Sequence, residues 1–306
     1  MTPELPLRSL LFAPGNEPRK VDKVDSFGAD AVILDLEDAV PDAQKFAARS
    51  TVSAALPKLH AGVVCVRVNG LHTGLTAGDV NEVVAPGLDC VVLPKTESAE
   101  HVLTLDSLLT EAEKRRGLSR GHVRILPLVE TARGVVRGAE IAAASPRVIT
   151  LAFGSGDFTR DLELPSVRWS ADGLELLYAR TRLVVDARSA GCARPIDGPY
   201  LAVRDAAGFE ADCSIARKIG FQGKLCIHPG QVAAANRLFA PDPDEVAFCR
   251  RVVKDFGAAV ARGSASITVD GVFVDYPIAA KAERIVGLAD ALAARDMPGR
   301  RSGADE

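Results

Sequence analysis

Short runs of Val, Ile and Leu recur along the chain, separated by longer stretches in which apolar positions return every three or four residues. The runs at 7–12, 31–36, 63–68, 90–93, 123–129, 148–153, 194–197 and 224–227 predict strands. The intervening stretches 19–27, 43–59, 79–85, 100–116, 134–144, 173–190 and 207–219 predict helices. Strands that are apolar throughout are buried on both faces, which points to a parallel sheet covered by helices. Eight such units in succession fit an α/β fold of the (β/α)8 TIM barrel type, with a doubly wound open sheet as the alternative. Past the eighth strand, helical patterns at 243–262 and 278–294 flank a glycine-bearing segment, SASITVDGVFVDYP. Residues 1–240 are therefore expected to form the barrel and 241–306 a C-terminal helical extension. That extension is longer than a barrel needs, so it is expected to cover a site or bind another subunit. The polar tail PGRRSGADE is expected to fray.

Composition narrows the class. The 306 residues are 47% hydrophobic and 25% charged, with 37 basic and 40 acidic side chains, which excludes a disordered chain. A net charge of −3 leaves no electrostatic footprint for nucleic acid. No apolar run is long enough for a membrane span, and the N-terminal stretch MTPELPLRSLLFAPGN lacks the features of a signal peptide. The expected location is the cytoplasm. Six cysteines, Cys65, Cys90, Cys192, Cys213, Cys226 and Cys249, form no CxxC pair and sit mostly in apolar stretches. They read as small core residues, with neither a disulfide framework nor a zinc site expected.

A barrel places its chemistry at the C-terminal ends of its strands. Those positions hold Asp35, Glu37 and Asp38 in LDLEDAV, Arg67 and Asn69 in VRVNG, and Lys95 in VLPK. They continue with Glu130 and Arg133 in LVETARG, Asp157 in GSGDF, Asp197 in IDGPY and His228 in CIHPGQ. Charged groups directly after buried strands need pairing, solvent or metal, so a ring of structural ion pairs at the rim is the alternative for each.

Glu130 and Asp157 follow adjacent strands and would meet at one point. Two carboxylates without a nearby His or Cys suit a hard cation such as Mg2+, which keeps open positions for a chelating 2-oxo acid and stabilises an enolate derived from it. The alternative is a pair of rim acids neutralised by Arg133 or Arg67. Arg67 would offer bidentate donors to a substrate carboxylate or enolate oxygen, or else pair with Glu37 or Asp35. Gly154-Ser155-Gly156 lacks the third glycine of a dinucleotide fingerprint and reads instead as backbone passing close to a bound ligand. His228, just before Pro229, reads as a cap or a core hydrogen-bonding residue rather than a catalytic one.

In sequence, RSLLFAPGN, GADAVILDLEDAV, VRVNG, VLPKTESAE, ETARG, GSGDF, GFQGKLCIHPGQV and DGVFVDYP resemble the citrate lyase β-subunit-like branch of the HpcH/HpaI aldolase superfamily, which also holds malyl-CoA and citramalyl-CoA lyases. The resemblance runs from Arg8 to about residue 289. It implies a TIM barrel with Mg2+ on Glu130 and Asp157, and Arg67 on the substrate's oxygens. It further implies that Asp275, in VDYP, is an acid/base residue delivered to a neighbouring subunit, so that the chain forms homotrimers or hexamers. Arg19 and Lys23 match a region that contacts CoA phosphates, and Glu37 and Asp38 fall in the substrate-binding segment. One departure stands out: relatives usually carry an acidic residue just before the metal-binding Asp, where this chain has Gly156.

Residues and resemblance together imply a Mg2+-dependent carbon–carbon lyase. It would cleave a malyl-, citramalyl- or citryl-CoA type substrate into acetyl-CoA or acetate and a 2-oxo acid. Alternatives are a citrate lyase β subunit acting on a substrate carried by an acyl carrier protein within a complex, and a malyl-CoA thioesterase. A barrel that binds metal and metabolite without turnover is a further alternative, disfavoured by the set Glu130, Asp157, Arg67 and Asp275.

Overall fold

The computed structural model describes residues 6–166 and 169–296; the polar tail expected to fray lies outside them. Eight parallel strands close into a barrel: β1 (Ser9–Pro14), β2 (Ala31–Asp35), β3 (Val63–Arg67), β4 (Cys90–Leu93), β5 (Arg124–Val129), β6 (Ala152–Phe153), β7 (Ile196–Asp197) and β8 (Gly223–Cys226). Closure is visible in the register, which sets Leu10 of β1 beside both Ala31 of β2 and Leu225 of β8. The open-sheet alternative is thereby excluded.

Between the strands run α1 (Pro18–Val21), α2 (Lys45–Ala55), α3 (Thr76–Val83), α4 (Ala99–Arg116), α5 (Ala132–Val136), α6 (Gly138–Ala143), α7 (Ser155–Asp161), α8 (Leu174–Ser189), α9 (Ala206–Ile219) and α10 (Val232–Phe239). The pattern missed α7 and α10. The first opens on Ser-Gly, where helix propensity is poor. The helix expected at 134–144 breaks into α5 and α6 at Arg137, whose φ of −109° departs from helical geometry. The strand expected at 148–153 shortens to Ala152–Phe153, with Val148 held only by an isolated bridge to Ile125.

Strand alternation divides the apolar residues into two cores. Leu10, Ile33, Cys65, Val92, Leu128, Ile196 and Leu225 fill the barrel interior. Their neighbours Leu11, Val32, Val66, Val91, Val129 and Cys226 pack outward against the helices. Side chains two apart on a strand share a face. The parity that puts Ile33, Cys65 and Leu128 inside therefore carries Asp35, Arg67 and Glu130 to the mouth.

The same rule corrects one expectation. Ile196 points inward, so Asp197 points outward into the helix layer, away from the mouth. There Asp197 accepts from Arg180 Nε at 3.0 Å and pairs with Lys224, and Asp212 closes the group with both cations. All four side chains are buried. Two cations against two anions balance the cluster, which is how such charges persist between strands and helices.

The chain divides into Leu7–Phe239 and a second unit containing residues 240–296. In the second unit α11 (Pro243–Ala261) packs on α12 (Tyr276–Asp296), and the hairpin β9 (Ile267–Val269) with β10 (Val272–Val274) lies between them in sequence. The hairpin turns through Asp270 (φ 49°) and Gly271 (φ 82°), the two left-handed positions that a tight Asp-Gly turn supplies. Cys249, Val252, Phe256, Val269, Val274, Ala279 and Ala282 form its core, and Phe256 meets Tyr276 edge-on at 5.2 Å. Among the described residues no helix is long and apolar enough to cross a membrane. The six cysteines are unbridged; all but the half-buried Cys192 are buried.

Candidate active site

Asp35, Arg67, Glu130 and Asp157 line one pocket of 290 Å³ at the C-terminal end of the barrel, together with Phe12, Leu128, Gly154, Gly156, Leu225 and Ile227. Arg67 donates through Nε and Nη2 to the two oxygens of Asp35 at 2.7 and 2.5 Å, and its Nη1 lies 3.2 Å from Glu37. The pairing alternative for Arg67 is realised, with both Asp35 and Glu37, and the side chain also lines the pocket. Its guanidinium lies over the Phe12 ring at 4.9 Å, which fixes the plane of the fork. Burial alone would raise the Asp35 carboxyl, but the Arg67 charge and the N–H groups of Glu37 and Ala39 hold it below the usual range. Against burial, the carboxylates of Asp35, Glu37 and Glu130 raise Arg67.

Glu130 directly follows β5 and is 2% exposed. Its Oε1 accepts the Lys95 backbone N–H at 2.7 Å. On the other side lies Gly154, where a Cβ would collide with the Glu130 carboxylate and its Cβ. The Gly154 backbone thus passes close to the Glu130 side chain. Asp157 sits in the first turn of α7, and its other neighbour is the exposed Arg160, 2.8 Å away. Burial, then the charges of Asp157 and Glu37, push the Glu130 carboxyl up to about 8 against the pull of Arg67. Glu130 is thus raised by burial and by facing carboxylates that Arg67 only partly offsets. These two hard oxygen donors are of the type a divalent cation takes, and Glu130 and Asp157 are the residues that could hold one. Gly156 beside them has open space where a side chain would stand.

The rim around this pocket is a chain of ion pairs. Glu37 is buried, ion-paired to Lys95 and Arg67, and raised by burial; Lys95 Nζ also lies 3.4 Å from the exposed Asp38. Asn69 does not face the pocket. It donates to Asp79 at 2.8 Å, and Asp79 in turn holds Arg49, so this trio ties β3 to α2 and α3. Arg133 is exposed and lies 3.8 Å from Glu97, so it does not neutralise the Glu130–Asp157 pair. His228 accepts from Gly230 N at 3.0 Å and forms a capping box with Gln231, the structural role expected for it. Arg19 and Lys23 are exposed, in α1 and just past its end. Asp275 lies at the start of α12 in the second unit, where its Oδ1 accepts from Ile278 N at 3.3 Å.

Two contacts escaped sequence reasoning. Phe12 shares the inward parity of Leu10, so strand alternation could have placed it beside Arg67. The Lys95–Glu130 contact had no such signal, because it depends on a left-handed turn at Lys95, φ 50°.

Comparison with known proteins agrees with the geometry. The family profile described as HpcH/HpaI aldolase/citrate lyase matches residues 8–229. The citrate lyase subunit beta of Leuconostoc mesenteroides subsp. cremoris is 37% identical over 286 residues, covering 93% of each chain. The L-malyl-CoA/beta-methylmalyl-CoA lyase of Cereibacter sphaeroides is 32% identical over 95% of this chain and 97% of its own length. Among solved structures, CitE from Mycobacterium tuberculosis in complex with magnesium, acetoacetate and coenzyme A superposes with a TM-score of 0.73 at 31% identity, covering 92% of this chain and 97% of that one. The closed parallel barrel, the paired carboxylates at its mouth and these similarities lead to one assignment: the chain belongs to the HpcH/HpaI aldolase/citrate lyase family and is a lyase.

Proposed function

We propose that the protein is a Mg2+-dependent carbon–carbon lyase. Its substrate is a malyl-, citramalyl- or citryl-CoA type thioester, split by retro-Claisen or retro-aldol chemistry into acetyl-CoA and a 2-oxo acid. The observation that carries this reading is the meeting of Glu130 and Asp157 beside Arg67 in one pocket. The magnesium, acetoacetate and coenzyme A of the Mycobacterium tuberculosis relative support it.

Glu130 and Asp157 hold the cation, which supplies Lewis-acid stabilisation of negative charge on the substrate's oxygens. Arg67 has five N–H donors, of which two are bonded to Asp35, so others remain for the oxyanion that develops as the bond breaks. Asp35 and Phe12 set the orientation of that donor before substrate arrives. Glu37 and Asp38 serve substrate binding by holding Arg67 and Lys95 at the rim. A base takes the substrate hydroxyl's proton, the oxygen's electron pair forms the carbonyl of the 2-oxo acid as the carbon–carbon bond breaks, and the pair left on the acetyl fragment, an enolate, takes a proton from Asp275 of a neighbouring copy in a homotrimer or hexamer. Arg19 and Lys23 contact the CoA phosphates. The pocket's remaining wall, Phe12, Leu128, Leu225 and Ile227, is apolar and suits the carbon skeleton of the acyl group.

The test is mass spectrometry of the purified protein offered the three thioesters with Mg2+ and again with EDTA. Metal-dependent release of acetyl-CoA with a 2-oxo acid, abolished in Glu130→Ala and Asp157→Ala, is the expected result. Free CoA with the intact hydroxy acid would replace the lyase reading with a thioesterase. The likeness to citrate lyase subunit beta favours a second reading, in which the acyl group rides on an acyl carrier protein within a complex. A protein silent on all three CoA thioesters but active on the carrier-bound substrate would establish it.

A further inference from the structure

We infer that Lys95 is a positioning residue for the cation site, acting through its main chain, and that its side chain has a separate duty. The inference rests on Glu130 being a cation ligand. Among the described residues three non-glycine residues have positive φ: Lys95, Glu163 and Asp270. Asp270 is explained by its hairpin turn, and Glu163 follows the end of α7. Lys95 instead follows a wholly buried strand, β4, and faces the site. A left-handed lysine is strained, and strain of this kind persists only where the surroundings enforce it.

The surroundings do so here. Thr96 N donates to Leu128 O at 3.1 Å, anchoring the turn to β5, and Thr96 Oγ1 closes it on Leu93 O at 2.8 Å. So held, the Lys95 N–H points at Glu130 Oε1, 2.7 Å away. Gly154 bounds the carboxylate on its Oε2 side, since nothing larger than hydrogen fits there. The Glu130 carboxylate is therefore set between two main-chain segments, with no side chain bonded to it among the described residues. Metal ligands held by a second group in this way lose affinity when that group is removed. Glycine would adopt the turn without strain, so the lysine side chain must answer a second need. Its ammonium reaches Glu37 and Asp38, supplying charge to the rim.

The two duties separate by substitution, with Mn2+ as the probe, read by electron paramagnetic resonance on the metal-free protein. Lys95→Gly and Lys95→Met keep the N–H and tolerate the turn, so Mn2+ affinity should stay within about threefold of wild type. Lys95→Val resists positive φ through its branched Cβ and should weaken Mn2+ by roughly 10- to 100-fold. Thr96→Val removes only the hydroxyl that closes the turn; it should also weaken Mn2+, and it stands in should Lys95→Val fail to fold. Wild-type affinity in both valine variants would overturn the inference. So would an equal loss in Lys95→Met, which would make the ammonium the group that matters. Glu130→Gln separates this from the underlying assignment: if it binds Mn2+ as wild type does, Glu130 is not a ligand at all.

Discussion

Replacing Glu130 with Gln should stabilise the metal-free barrel, and increasingly so as pH rises. Burial, then the charges of Asp157 and Glu37, push the Glu130 carboxyl up to about 8 from the ordinary 4.5. A carboxyl raised on folding binds more protons in the native state than in the unfolded one between those two values. Its contribution is fully present below pH 4.5 and is lost as pH climbs towards 8. At about 1.36 kcal/mol per pH unit, the wild type should lose about 5 kcal/mol relative to Glu130→Gln between pH 4.5 and pH 8.5. Gln has the same shape, still accepts the Lys95 N–H and never ionises. The assay is urea unfolding in EDTA, followed by fluorescence of the single tryptophan, Trp169, which packs against the barrel's outer core. Saturating Mg2+ should remove most of the wild-type loss at high pH, because a cation takes over the proton's role, and should leave Glu130→Gln nearly unmoved. A wild-type-minus-variant difference that stays constant across pH would refute the electrostatic reading of the site.

Three further outcomes follow from the geometry. Gly154→Ala drives a methyl group into the Glu130 carboxylate and should cost about 1–3 kcal/mol with a fall in Mg2+ affinity, whereas Gly156→Ala, in open space on α7, should be neutral or stabilise by up to about 1 kcal/mol; thermal melts and calorimetric Mg2+ titrations distinguish them. Asp157→Asn should hold or raise the melting temperature of the metal-free protein, since it gives up only a pair with an exposed arginine and removes a charge that opposes buried Glu130, while weakening Mg2+ in the same titration. Asp197→Asn should cost about 3–5 kcal/mol by unbalancing the buried cluster with Arg180 and Lys224, yet leave turnover per folded molecule unchanged, measured as kcat against active folded protein.

These residues also mark the boundary between local and tertiary information. The period-two alternation of buried strands is written in the chain, and it suffices to bring Asp35, Arg67 and Glu130 to one end of the barrel. Applied strictly, it also turns Asp197 outward; reading Asp197 only as a strand end put it at the mouth. Asp157 was legible because it follows the next strand. Other features depended on partners remote in sequence. Arg67 pairs with Asp35 across 32 positions, and Lys95 meets Glu130 across 35. Asn69 turned from the pocket because Asp79 offered it a buried acceptor, and Arg133 sat beside Glu97. The left-handed turn at Lys95 is held by a local bond to Leu93 and by one to Leu128 that exists only once β4 and β5 lie side by side. Apolar runs are a property of neighbouring residues, so the sequence by itself determined eight buried parallel strands with helices between them, while closure of the sheet into a barrel appears only in the pairing of β1 with β8. The partner of a charged side chain depends on which buried acceptor closure leaves within reach, and that only the tertiary structure decided.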